Sequence, residues 1–434
     1  MDYCSNFVDF YNTNFSEKDI MAVIKPFKAL KPTKDNANLV ASVPYDVVNR
    51  EEAKEKAKGN KLSFLRVTRS EIELDDKVNA YSPEVYKKAK ETLDQFKKEK
   101  VLVQDNKPHF YLYRLLMAGR TQVGIVGTFS VDEYDGNIIL KHEKTRKEKE
   151  DDRTNHIVTT EAQTGPVFLT YKGVDSINKI VDKVLESEPL FFFTSSDGIR
   201  HTIWQVLEEH NETIIDEISK VWNIYIADGH HRAASASRAQ KVKKEANANH
   251  TGDEEYNYFI GVLFPAEQLH IMPYNRVVLN LNGNSPKDFL NKISEKFIYD
   301  KTNVKEPTDR RNIGMYLGGE WYNLKPKDSV IASINLAKSV AETLDVSILQ
   351  DFLLNPILGI DDPRTNKNID FIGGIRGTNE LERLVNSGKA AVAFSLYPVS
   401  VDDLMSIADA GEVMPPKSTW FEPKLRDGLL VHLI

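Results

Sequence analysis

The chain has 434 residues, with 57 Lys and Arg against 64 Asp and Glu, a formal charge of -7 and a pI near 5.9. That length allows one large core or several domains, while the acid excess excludes a protein whose main task is gripping nucleic acid or an anionic membrane. The sole cysteine, Cys4, makes no intrachain disulfide, no apolar run is long enough to span a bilayer, and residues 1–20 have no signal-peptide core, so the expected location is the cytoplasm.

Residues 1–20 differ in character from the rest of the chain and are expected to be a poorly packed appendage, with Met21 opening a first strand. Residues 39–48, Leu39-Val40-Ala41-Ser42-Val43-Pro44-Tyr45-Asp46-Val47-Val48, read as an apolar strand broken by Pro44. That places Asp46 on a strand-end loop, where functional side chains commonly sit; a plain turn aspartate is the bland alternative. Residues 49–60 form a charged helix closed by Gly59-Asn60, and residues 62–69 a strand. Residues 81–100 carry apolar positions at helical spacing after the start signal Ser82-Pro83. Residues 109–117 and 122–131 flank Ala118-Gly119, a hairpin signal.

Lys141-His142-Glu143-Lys144-Thr145 opens a charge run that reaches Arg153, and its later part reads as a solvated helix face. A zinc-protease helix would need its second histidine where Arg146 stands, so that chemistry fails. What remains is a His142-Glu143 pair among cations such as Arg153, suited to organising phosphates or a magnesium ion. Strands lie at 166–171 and 190–194, with helices at 174–185 and 204–220.

The densest chemistry lies in Asp228-Gly229-His230-His231-Arg232. An apolar run, Val221 to Ala227, suits a buried strand, and Arg232 to Ala246, rich in Ala, Lys, Arg and Gln, suits a helix. A strand that stops at a glycine turn and opens a helix leaves backbone N–H groups unpaired at the positive end of the helix dipole, an anion site in outline. His230, His231 and Arg232 add donors for phosphate oxygens, and Asp228 can fix a tautomer, cap the helix or help hold a cation. The alternative is an N-cap with incidental polar turn residues.

Residues 240–257 read as a polar loop, with strands next at 258–264 and 270–279. From about residue 280 the pattern is α+β: a helix at 286–297, a strand at 313–317, a helix at 344–354 ending at Asn355-Pro356, a strand at 390–398 and a helix at 401–410. Gly373-Gly374-Ile375-Arg376-Gly377 lacks the Lys-Ser or Lys-Thr of a Walker loop and reads as a turn. In Met414-Pro415-Pro416-Lys417-Ser418-Thr419-Trp420-Phe421 the prolines stiffen a segment whose Lys417, Ser418 and Thr419 offer donors to an anion. It reads equally as a cover over a site or a structural wrap.

Pro44-Tyr45-Asp46-Val47, Lys141 to Thr145, Asp228 to Arg232 and Met414 to Phe421 together resemble, in this order, a large, mostly bacterial family filed as a domain of unknown function. Its core is similar to the ParB/sulfiredoxin fold, which includes free-serine kinases. The resemblance runs from about Met21 to the C-terminus. It implies an α+β fold with a ParB/sulfiredoxin-like mixed core carrying large insertions over residues 21–280, and an α+β region over 281–434 whose tail packs back on the core. It also implies phosphorylation of free L-serine to O-phospho-L-serine, with pyrophosphate, ADP or ATP as donor. By the same resemblance Gly229 to Arg232 hold the donor phosphates, and Asp46 matches the general base of the related free-serine kinases, there a glutamate. Sulfiredoxin chemistry is excluded because the cysteine it needs is His230 here.

Asp46, His231 and Arg232 are therefore the expected catalytic residues. The expected phosphate and substrate ligands are Asp228, Gly229, His230, His142, Glu143, Thr145, Arg153, Lys417, Ser418 and Thr419, with Mg2+ as cofactor. The absence of a nucleotide fingerprint favours a small donor such as pyrophosphate. Two other functions fit the same residues: a phosphoserine phosphatase or reverse-direction enzyme, and a non-catalytic regulator that binds a nucleotide or phosphometabolite.

Overall fold

The computed structural model describes residues 22–337 and 339–434, so the expected N-terminal appendage lies outside the described residues. The described residues divide into two compact units, the first built from residues 22–140, 145–268 and 425–434, and the second from 141–144 and 269–424. The architecture is α+β, as the sequence predicts, and no described helix is long and apolar enough to cross a membrane.

The first unit is organised by a mixed nine-stranded sheet. At its centre the long strand Arg120–Ser130 pairs antiparallel with Tyr111–Met117 on one side and Tyr258–Pro265 on the other. Tyr258–Pro265 then runs parallel to Val167–Tyr171, which is antiparallel to Ile224–Asp228. The register slips between Ile226 and Asp228, a bulge that redirects the chain as it leaves the sheet. Ile125, Phe129, Leu169, Ile226, Phe259 and Leu263 fill the core against the small residues Ala233, Ala234 and Ala236 of the helix His230–Ala246. Small side chains let that helix lie close to its neighbours, and Ser235 Oγ donates to the Glu150 carbonyl of the helix Lys147–Thr160 at 3.2 Å.

Within the second unit, six antiparallel strands run in the order Phe297–Lys301, Glu320–Pro326, Ile313–Leu317, Val392–Leu396, Tyr274–Val278, Ile369–Gly373. Trp420–Phe421 pairs separately with Ile271–Met272.

Some expected elements differ. Residues 39–48 form no strand: the helical turn Ala37–Val40 and the 3-10 turn Tyr45–Val47 bracket a single bridge from Ser42 to Asp427. Residues 62–69 contain the helical turn Leu65–Thr68, because an apolar run this short satisfies either period. Trp204 lies inside the strand Arg200–Gln205, paired there with Leu112, and the helix starts only at Asn211. The first-strand expectation resolves into two short pieces, Ile24–Lys25 and Leu30–Pro32. Asn355-Pro356 does not end its helix, which passes through a π turn, Gln350–Leu354, to Leu358. The charge run ending at Arg153 is not only a solvated face, since Asp152 is 5 % exposed.

Candidate active site

Two of the four motifs meet in each unit. In the first, the bulged strand end delivers Asp228 to Gly229, whose φ of 92° is a left-handed conformation that a side chain would strain. Gly229 N–H donates to Asp228 Oδ1 at 2.8 Å, and the Gly229 carbonyl accepts from the N–H groups of Arg232 and Ala233 at 2.9 and 3.1 Å, starting the helix. His230 is buried. His231 Nε2 accepts the Arg146 backbone N–H at 3.1 Å.

Arg232 crosses from this helix to the Pro44-Tyr45-Asp46 turn. One guanidinium nitrogen donates to the Pro166 carbonyl at 2.6 Å and the other reaches Asp46 Oδ1 at 3.4 Å. Burial opposes its charge, but the carboxylates of Asp46, Asp427 and Asp228 outweigh that and raise its pKa. Asp46 itself is 36 % exposed, so its carboxylate faces solvent while its partner does not. Tyr45 lies buried beneath it with the Arg153 guanidinium 4.2 Å from its ring centre. Arg153 is in turn held by Asp152 at 2.8 Å and by the Thr68 carbonyl at 3.2 Å.

Asp427, which the sequence reading passed over, completes this group. Its backbone pairs with Ser42, and its carboxylate accepts the Tyr45 backbone N–H, while Oδ1 is buried with no hydrogen-bond partner among the described residues. Burial pushes its pKa up to about 7, with Arg232 lowering it and Asp46 raising it. Tyr45, Arg153, His156, Gly165, Arg232 and Asp427 line a cavity of about 30 Å³, room for a water or two. Burial, then Arg153, pull His156 down to about 4, so it is neutral at pH 7.

The Asp427 carboxyl has a signature in stability. An unfolded aspartate titrates near 3.8, so between about pH 4 and 7 the folded protein holds a proton that the unfolded chain has released, and stability falls as pH rises through that window. Asp427→Asn is expected to flatten this slope and gain roughly 1–3 kcal/mol relative to the parent protein at pH 8, read from urea midpoints at pH 5 and pH 8. Gly165 is the matching constraint, because a Cβ there would overlap the Asp427 carboxylate. Gly165→Ala is expected to cost roughly 1–3 kcal/mol, read from the same midpoints.

Thr145 lies in the first unit with its hydroxyl on Glu150. The other expected ligands belong to the second unit. There the Met414 N–H donates to the His142 carbonyl at 2.8 Å, so the Lys141-to-Thr145 and Met414-to-Phe421 motifs touch. His142 is 1 % exposed, and Glu143 is half-buried beside it in the sequence. Lys417 is exposed at a φ of 59° with its ammonium 5.5 Å from the Tyr274 ring centre. Ser418 Oγ donates to the Pro415 carbonyl at 2.6 Å, which shapes the turn and leaves the hydroxyl oxygen as an acceptor. Thr419 is half-buried.

The sequence profile of the family described as protein of unknown function (DUF1015) matches residues 24–347. The chain belongs to that family. Among curated proteins the comparison finds no match. Solved structures similar to this DUF1015 chain include a conserved hypothetical protein from Pyrococcus furiosus, at 11 % identity and a TM-score of 0.34, covering 70 % of this chain and 94 % of that one. SbnI with a C-terminal truncation from Staphylococcus aureus is similar at 13 % identity and a TM-score of 0.35, covering 71 % and 87 %. A free serine kinase in complex with AMP is similar at 10 % identity and a TM-score of 0.31, covering 69 % and 90 %. Likenesses this distant carry no weight for mechanism.

Proposed function

We propose that this DUF1015 protein is a cytoplasmic phosphotransferase that phosphorylates free L-serine to O-phospho-L-serine, with pyrophosphate as donor. The observation that carries the reading is the junction of Asp46 with Arg232 at the strand-glycine-helix turn: a solvent-facing carboxylate beside a buried guanidinium and a helix start. Phosphoryl transfer needs positioning, charge neutralisation and a base within reach of the attacking hydroxyl. Asp46 takes the proton of the serine hydroxyl as its oxygen bonds to phosphorus. The bridging P–O bond of pyrophosphate breaks and orthophosphate leaves. Arg232 and the N–H groups at the start of the helix balance the charge on the phosphoryl oxygens, with the His231 imidazole a further hydrogen-bonding group on the same turn.

Among the described residues no group of three or more His, Cys, Asp and Glu could cage a metal. Magnesium is commonly held by one or two carboxylates and the substrate phosphates, and Asp46 with Asp228 fits that smaller demand. Bound there, the ion would neutralise phosphate charge.

The test is a donor panel of pyrophosphate, ADP and ATP with L-serine and magnesium, read by product mass. Phosphoserine formed from serine and pyrophosphate supports the reading. Phosphate released from phosphoserine without an acceptor would make the protein a phosphatase, and ligand binding without turnover would make it a regulator.

A further inference from the structure

The second unit encloses a chamber of about 310 Å³ that the proposed reaction does not use. Small-molecule sites start at roughly 300 Å³. Arg276, Gln350, Asp361, Arg364, Phe371 and Pro416 are among its walls.

Its charges narrow the ligand. Arg276 is 3 % exposed, yet no carboxylate pairs with it among the described residues. Its guanidinium donates instead to the carbonyls of Tyr274, Pro416 and Lys417, the last two at 3.4 and 3.0 Å, and lies 5.3 Å from the Phe371 ring centre. Carbonyl dipoles solvate a cation without neutralising it. Burial accordingly holds Arg276 down to about 9, which still leaves it charged at neutral pH. Such a buried, uncompensated charge is costly until an anion joins it. Arg364 and Asp362 cancel each other through a two-pronged pair at 2.9 and 2.8 Å. The exposed Asp361 takes no part in that pair. Among the described residues one cation and one anion without an ionic partner therefore line the chamber. A purely anionic ligand would meet the Asp361 carboxylate there, whereas a zwitterion matches the remaining charges one for one. The π turn at Gln350–Leu354, a backbone form common at functional sites, borders the chamber through Gln350.

We propose that this chamber binds a free α-amino acid, its carboxylate on Arg276 and its ammonium on Asp361, with its side chain against Phe371 and Pro416. The assignment rests on the walls of the second unit and not on the phosphotransfer reading.

Calorimetric titration of the full chain with each of the common L-amino acids tests it. At least one should bind, and its amide and its N-acetyl derivative, each lacking one charge, should bind about ten-fold more weakly or worse. Asp361→Asn and Arg276→Lys should weaken that amino acid by about ten-fold while leaving pyrophosphate affinity unchanged. Asp361 is exposed, so its substitution decides the matter even where Arg276→Lys disturbs the Pro416 turn. Absence of binding by every amino acid, binding unmoved by Asp361→Asn, or loss of pyrophosphate binding in that variant overturns the proposal. Amino-acid binding without phosphorylation would retire the kinase and keep the chamber. Phosphorylation of serine, with the binding of every amino acid unmoved by Asp361→Asn, would do the reverse.

Discussion

Arg232→Ala is expected to reduce phosphoserine formation by about 10³-fold or more and to destabilise the fold by about 3–5 kcal/mol at pH 8. Both effects come from one guanidinium serving two sets of partners. Toward solvent it faces Asp46, whose exposure lets water screen much of their attraction, so little of the stability loss arises there. Toward the interior it lowers the pKa of Asp427, a carboxyl that burial already holds near 7. Without Arg232 that carboxyl must ionise unaided or remain protonated, and the Pro166 carbonyl loses its donor. The stability loss should therefore shrink at pH 5, where Asp427 is protonated in either protein. Urea midpoints at the two pH values read the difference, and an equal loss at both would remove Asp427 from the account.

Asp46→Asn is expected to lower kcat by about 10²–10⁴-fold with the KM for serine and the urea midpoint nearly unchanged. The amide keeps the shape and can still accept from Arg232, but it cannot take a proton. Because the side chain is partly in water, removing its charge breaks no buried pair. A parallel assay of Asp427→Asn separates the two carboxyls. Should that variant lose the greater share of kcat, the base would be the buried acid and not the exposed one.

The central turn was legible because its parts are local. An apolar run, a glycine and an alanine-rich stretch specify strand, turn and helix in sequence, and the φ of 92° at Gly229 is what a glycine there foretells. Asp46 was found through Pro44, which stops any ladder, even though the flanking residues form turns and not the expected strand. Asp427 was missed for the opposite reason: its partners Ser42, Tyr45 and Arg232 are all distant in sequence, and nothing local fixes its role. An acid in the apolar stretch Leu425-Arg426-Asp427-Gly428-Leu429-Leu430-Val431 was the available signal. Trp204 shows the general limit, since its neighbours suit helix or strand, and its pairing with Leu112 in Tyr111–Met117 decides between them.

Residues 425–434 belong to the first unit yet are translated only after residues 269–424, which belong to the second. Leu30 pairs with Val431, Gln163 with His432, and Ser42 with Asp427, so an early portion of the nascent chain must wait, with those edges open, until the whole second unit has been synthesised. A polypeptide halted before Leu425 would carry the glycine turn and Arg232 without the acid that sits behind them.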